Sequence, residues 1–386
     1  MEAARDITFA PRRSWIVERL NLRYLDPVML GAAIGLIAFS IFTLASATRE
    51  EIAGQPLYFV TRQGLYAAVG IALMIAVSRI DYTRFRELRM TIYAVMVGSI
   101  LLVLLLGTAV RGSHRWIDLP LLKFEPSELA KVLLCISLGA LVYERVRRPF
   151  GVGATIRLLG LGLVPAVLVF LQPDLGTGIV LVAIVLTILF VAGIPWHHFA
   201  AIGAIAALLA GGVYVAGSAG GVNFLHGYQQ DRLTAFLHPS DDPSDASYQV
   251  NQAVIAVGSG EGVGRGNQAT QTELLFVPER HTDFVFAVVS ERYGFAGAAF
   301  VLLLYAVIFW RAVRVMRLSS SFYGTLIAAG ILAMLAFQVI INVGMNLGLM
   351  PVTGITLPLM SYGGSSVLGT FLALGLLQSI HAHSRQ

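Results

Sequence analysis

Long apolar runs joined by short polar segments make up most of the chain. Ten of them stand out, at about residues 28–48, 64–80, 90–110, 127–143, 157–171, 175–194, 198–217, 294–314, 321–347 and 364–381. Each approaches the roughly 20 residues that an α-helix needs to cross a hydrocarbon core of about 30 Å. The pattern therefore predicts an all-α integral membrane protein, with a segment at 1–27, one polytopic membrane domain over 28–381 and a tail at 382–386. The fifth run is short and contains Pro165, which predicts a bent or incomplete helix. Two joints are unlike the rest. Residues 218–282 form a loop far longer than structureless connections normally run, and it is expected to fold against the bundle or over a cavity. Residues 348–363, GLMPVTGITLPLMSYG, are punctuated by Gly, Pro and Ser. Irregular backbone at membrane depth is tolerated only where it lines a cavity or is buried in protein.

Charge orients the pattern. Seventeen of the 27 Lys and Arg residues fall on one side: the arginines at 5–23, 79–89, 145–157 and 311–317, and Arg385. Cytoplasmic loops carry the excess of Lys and Arg, so both termini are placed in the cytoplasm and the 218–282 loop outside. The net charge of +5 then reflects topology and gives no case for nucleic acid. The first apolar run is span-length and its flank is not that of a cleaved leader. The single Cys135 excludes an intramolecular disulfide.

Against this rule stands the outer segment RGSHRWIDLPLLKFEP at 111–126, with Arg111, Arg115 and Lys123. A basic, Trp-bearing loop on the far side suggests an anionic ligand. Trp116 beside Arg115 suits a sugar–phosphate, since an indole stacks on a pyranose and a guanidinium forks onto phosphate; an aromatic-belt anchor is the simpler reading. Glu128 and Lys131, three residues apart, share a helix face as either a local salt bridge or a polar site. Asp174 opens the sixth run, where a carboxylate also serves as a helix cap. Glu279, Arg280, His281 and Asp283 crowd the point where the long loop re-enters the membrane. Asp283 precedes Phe284-Val285-Phe286, and partial desolvation there favours proton acceptance by its carboxylate. Equally, Thr282 or Asp283 could cap a helix. No nucleotide-binding glycine fingerprint lies in a plausible setting, and no CxxC, HExxH or nucleophile elbow is present.

In order along the chain, RGSHRWI, FEPSELAK, QPDLGTG, YQVNQAVIAVGSG, PERHTDFVFAV and NVGMNLGLMPVTGITLPLMSYGGSS resemble motifs of the SEDS family (shape, elongation, division and sporulation proteins). QPDLGTG, MPVTG and the terminal SIHAH are closer to its elongation branch than to its division branch. The resemblance implies a ten-transmembrane-helix SEDS-type bundle with a large extracytoplasmic loop between helices 7 and 8, in the bacterial inner membrane, with the active site facing the periplasm. It implies peptidoglycan glycosyl transfer from lipid II, with Asp283 as the catalytic aspartate, Trp116 as a sensitive aromatic, and Glu128 and Lys131 as a paired acid and base. Arg111, Arg115, Asp174, Arg280 and His281 join these as candidate substrate-binding residues. The implied partners are a class B penicillin-binding protein and other elongation-complex proteins. Glu125, Glu261 and Arg292 depart from the family's usual residues.

The expected reaction is a single displacement in which Asp283 accepts the proton of an acceptor 4-hydroxyl, help worth roughly 10²–10⁴-fold. Cations would take up the leaving pyrophosphate's charge. A divalent cation such as Mg or Mn could assist, although the sequence carries no evident ligand set. The rival readings are a lipid II flippase, with ionisable residues along a path between faces, and a non-catalytic scaffold.

Overall fold

The computed structural model describes residues 25–48, 55–106, 108–110, 113–118, 123–146, 149–218, 245–274, 276–277 and 279–384. Each of the ten apolar runs falls on a helix: α1 Pro27–Ala47, α2 Tyr58–Ser78, α3 Arg89–Leu106, α4 Pro126–Arg145, α5 Val152–Leu171, α6 Leu175–Val191, α7 Trp196–Ser218, then α10 Val285–Leu318, α11 Phe322–Asn346 and α12 Gly364–His383. Seven are long and apolar enough to cross a membrane, and α3, α6 and α7 provide shorter apolar stretches. Between α7 and α10 lie α8 Asp245–Ser259 and the single turn α9 Thr270–Glu273.

Helices α4, α11 and α12 are the most buried and form the centre of the bundle. Around them α2 packs on α12, α3 on α4, α6 on α11, and α1 on α10. Within a membrane, close approach of small residues replaces the hydrophobic drive between helices. The α2–α12 contact shows this: a Cβ on Gly375 would come within 2.9 Å of the Met74 carbonyl oxygen. Outward-facing Phe42, Leu105, Phe190 and Leu303 are exposed, as suits side chains that meet lipid.

Three expectations need correction. The fifth helix is complete and not short, running 20 residues with Pro165 inside it. The eighth apolar run was placed from 294, but its helix begins at Val285 and is kinked at Gly294, where φ is 64°. Between α3 and α4 the chain also forms a small antiparallel sheet, β1 Thr108–Val110, β2 Ser113–Asp118 and β3 Lys123–Phe124, where only a loop was expected. The long connection behaves as anticipated in its described part. Val250, Ala253 and Ala256 of α8 pack with Phe284, Ala287, Met345 and Val352.

Candidate active site

The chemistry gathers at the end of the bundle that carries the sheet, on two walls. The first is built by β2, β3 and the starts of α4, α6 and α12. Pro126 at the first helical position suits a helix start, because its missing N–H would lack a partner there anyway. One turn on, Lys131 Nζ meets Glu128 Oε1 at 2.7 Å, with the two residues only 2% and 8% exposed. Arg115, from β2, donates through Nε to the Gln172 carbonyl at 3.1 Å and through Nη2 to that of Pro173. Its Nη1 lies 3.7 Å from Asp174 Oδ1, and its guanidinium stands 6.0 Å from the Trp116 ring centre. Asp174 also caps α6, accepting from the Thr177 N–H at 3.2 Å. The cap and the ion pair thus coexist on one carboxylate.

Glu125, not among the expected site residues, joins this wall. Its backbone N–H donates to Ser365 Oγ at 2.9 Å, and its carboxylate accepts from Ser127 Oγ at 3.1 Å. Burial, then the charges of Asp174 and Glu128, push its carboxyl up to about 8, against the opposing pull of Arg115 and Lys131. Two cations therefore share three acids, and a proton held on Glu125 balances the group.

The second wall is the turn at 279–284 and what holds it. Asp283 is partly buried, and its carbonyl oxygen accepts from Asn342 Nδ2 at 2.9 Å and Asn346 Nδ2 at 3.2 Å. The same amides bind the Ile355 carbonyl and the Ala287 N–H, so α11 fixes the turn, the irregular 348–363 segment and the start of α10 together. Tyr362 N–H donates to the His281 carbonyl at 2.8 Å, and Ser361 Oγ to that of Thr282 at 2.5 Å. The His281 ring lies 4.7 Å from that of Phe59 on α2. Neither Thr282 nor Asp283 is the cap residue of α10; that position is taken by Phe284. Arg280 is turned inward, 4% exposed, donating to the Thr272 carbonyl at 2.7 Å. Glu291, on α10, accepts from the Gln271 and Thr272 N–H groups and so anchors α9.

Arg111 lies outside the described residues. Among those described, no three His, Cys, Asp or Glu side chains converge as a metal site requires. Sequence reasoning missed Asn342 and Asn346. Two amides four apart in an otherwise apolar run are costly inside a membrane unless both are satisfied, and that spacing was the available signal.

Fold and site together define a polytopic membrane protein whose helical bundle carries ionisable groups gathered at one end. The chain belongs to the FtsW/RodA/SpoVE family of cell cycle proteins, whose model matches residues 24–386. It is 34% identical to stage V sporulation protein E of Bacillus subtilis, over 92% of this chain and 95% of that one. It is 32% identical to the peptidoglycan glycosyltransferase MrdB of Escherichia coli, covering 94% and 95%. The fold is similar to that of a chain in a structure describing coordinated polymerization and crosslinking by a peptidoglycan synthase complex (TM-score 0.79, 31% identity, 94% of this chain and 99% of that one). It is also similar to the rod shape determining protein RodA of Thermus thermophilus (TM-score 0.68, 28% identity, 94% and 98%).

Proposed function

We propose that this protein is a peptidoglycan glycosyltransferase that polymerises lipid II on the outer face of the cytoplasmic membrane, with both termini inside. The acceptor's 4-hydroxyl attacks the anomeric carbon of the donor. As the new C–O bond forms, the bond to the pyrophosphate oxygen breaks, and the hydroxyl proton passes to the Asp283 carboxylate. The polyprenyl pyrophosphate leaves with the bonding electron pair, and the configuration inverts in one step.

The observation that carries this reading is the fixing of Asp283 by Asn342 and Asn346. A base must stay within hydrogen-bond reach of the proton it takes, and a carboxylate whose own backbone is clamped by two buried amides is held for such a task. The other group, with Trp116 and the paired Arg115, Glu128, Lys131 and Asp174, offers surfaces for sugar and peptide groups. QPDLGTG, MPVTG and SIHAH favour a role in elongation and rod shape over division, with a class B penicillin-binding protein cross-linking the product.

Purified protein given fluorescent lipid II and its transpeptidase partner is expected to make polymer, resolved by gel. A folded Asp283→Asn variant should make none; undiminished polymer from it overturns the assignment of the base. Transbilayer movement of lipid II without polymer would instead establish a carrier.

A further inference from the structure

Of the described cations at this end, Lys123 is exposed on β3, while three others are already engaged. Lys131 is paired with Glu128. Arg115 is held by Asp174 and two carbonyls, and Arg280 is buried on the Thr272 carbonyl. Arg62, one turn into α2, differs. It is partly exposed, its guanidinium lies 4.5 Å from the Tyr58 ring centre, and the phenols of Tyr66, hydrogen-bonded to it, and Tyr362 lie near. Among the described residues no carboxylate pairs with it.

The same end of α2 packs against the turn at 279–284. Phe59, three residues before Arg62, touches both the His281 ring and the Tyr362 ring, at 4.7 and 4.9 Å. Tyr362 is itself hydrogen-bonded through its backbone to His281. Gln63, beside Arg62, donates to the Ser361 carbonyl at 3.1 Å, so the outer turn of α2 is tied to both strands of the site. Burial raises the Tyr362 phenol, which is hydrogen-bonded to that of Tyr66, so the two hydroxyls act as a connected pair. An arginine whose partners are phenols and not carboxylates keeps its full charge for the oxygen array of a phosphate ester.

We propose that Arg62, with Tyr58, Tyr66 and Tyr362, forms a binding station for the pyrophosphate of a lipid-linked substrate. The assignment rests on the glycosyltransferase reading for its biological ligand, but the anion chemistry stands on the cluster itself. Arg62 receives the diphosphate while Arg115 and Lys131 stay engaged with their carboxylates. The flanking phenols add donors and an apolar rim continuous with the lipid-facing side of α2, where a polyprenyl chain can lie.

The test is binding rather than turnover. Full-length protein carrying Asp283→Asn, in detergent micelles, is titrated with farnesyl pyrophosphate, and with farnesol to report apolar capture alone. Pyrophosphate binding should weaken about tenfold or more in Arg62→Gln, the scale of a lost charge-assisted hydrogen bond. Arg62→Lys should fall between, since it keeps the charge but not the fork. Tyr362→Phe removes one hydroxyl with little volume change and should weaken pyrophosphate binding while leaving farnesol binding alone. Unaltered pyrophosphate affinity in a folded Arg62→Gln protein overturns the proposal, as does equal binding of farnesol and farnesyl pyrophosphate. Polymer made by Asp283→Asn would remove the base assignment while leaving this binding result standing, so the two failures are separable.

Discussion

Asn342 Nδ2 donates to the backbone carbonyl of Asp283 at 2.9 Å, and through its other hydrogen to that of Ile355 at 2.7 Å. One amide in α11 thereby joins the turn bearing the proposed base to the irregular segment that closes the site. Deleting it leaves two carbonyls without this donor, and an unsatisfied buried group costs about 1–3 kcal/mol. Because a misplacement of about 1 Å can cost on the order of 10²-fold in rate, Asn342→Ala is expected to lower the polymerisation rate constant far more than it changes substrate KM. A purely structural residue would lower the amount of folded enzyme and leave the rate per folded molecule intact. Steady-state kinetics normalised to folded protein distinguish the two.

The Glu128–Lys131 pair predicts a non-additive pattern. Removing one partner of a buried pair strands the other and costs about 3–5 kcal/mol, whereas replacing both by groups of similar volume is often neutral. Lys131→Met and Glu128→Gln should each lower the thermal unfolding midpoint in detergent clearly. The double variant should unfold at a higher temperature than Lys131→Met alone. Additive losses across the four proteins would mean that the 2.7 Å contact contributes nothing to the folded state.

Glu125 makes stability depend on pH. Its carboxyl is raised from 4.5 to about 8, first by burial and then by Asp174 and Glu128. Between those values the folded protein holds a proton that the unfolded chain has released. The resulting stability is complete below about pH 4.5 and is lost as pH rises through 8. Glu125→Gln keeps the hydrogen-bonding shape without a titrating group, so the difference in unfolding midpoint between variant and wild type should widen in the variant's favour from pH 5.5 to 8.5. Parallel profiles over that range would show that Glu125 carries no displaced proton.

Much of the bundle was legible because apolar run length is a local property. The ten runs are helices, and the motif residues Glu128, Lys131, Asp174 and Arg115 do meet on one wall. Partnerships between distant segments were not legible. Arg311 was read only as a topogenic charge, yet its Nε reaches Asp26 Oδ2, a residue fully buried at the start of α1, and Gln378 of α12 hydrogen-bonds the Asp26 backbone. Neither the 285-residue separation nor the apolar surroundings announces that pairing. Nor does the sequence announce Glu291, because its task, anchoring α9, depends on a fold that no period in the loop encodes. The sheet escaped because β1 and β3 are only three and two residues long and SHRWID of β2 does not alternate polar with apolar residues.

The kink in α10 supplies the last prediction. At Gly294 the helix takes φ of 64°, and the residues just beyond it find partners in the long loop instead of the preceding turn. Phe295 N–H donates to the Glu261 carbonyl at 2.8 Å, Ala296 N–H to that of Gly262 at 3.1 Å, and Arg265 N–H returns to that of Glu291 at 2.9 Å. The loop thus heals the break and couples the Asp283-bearing turn to the outer segment. A Cβ on Gly294 would sit 2.3 Å from the Gly264 nitrogen, with backbone on both sides and no flexible side chain to yield, in a region of φ that L-residues rarely adopt. Gly294→Ala should therefore detach the 260–265 loop while leaving the apolar helices inserted. Hydrogen exchange is expected to accelerate at Phe295, Ala296 and Arg265 and to stay slow in α11 and α12, with polymerisation falling alongside. Unchanged protection at those three amides would show that the loop does not depend on the glycine.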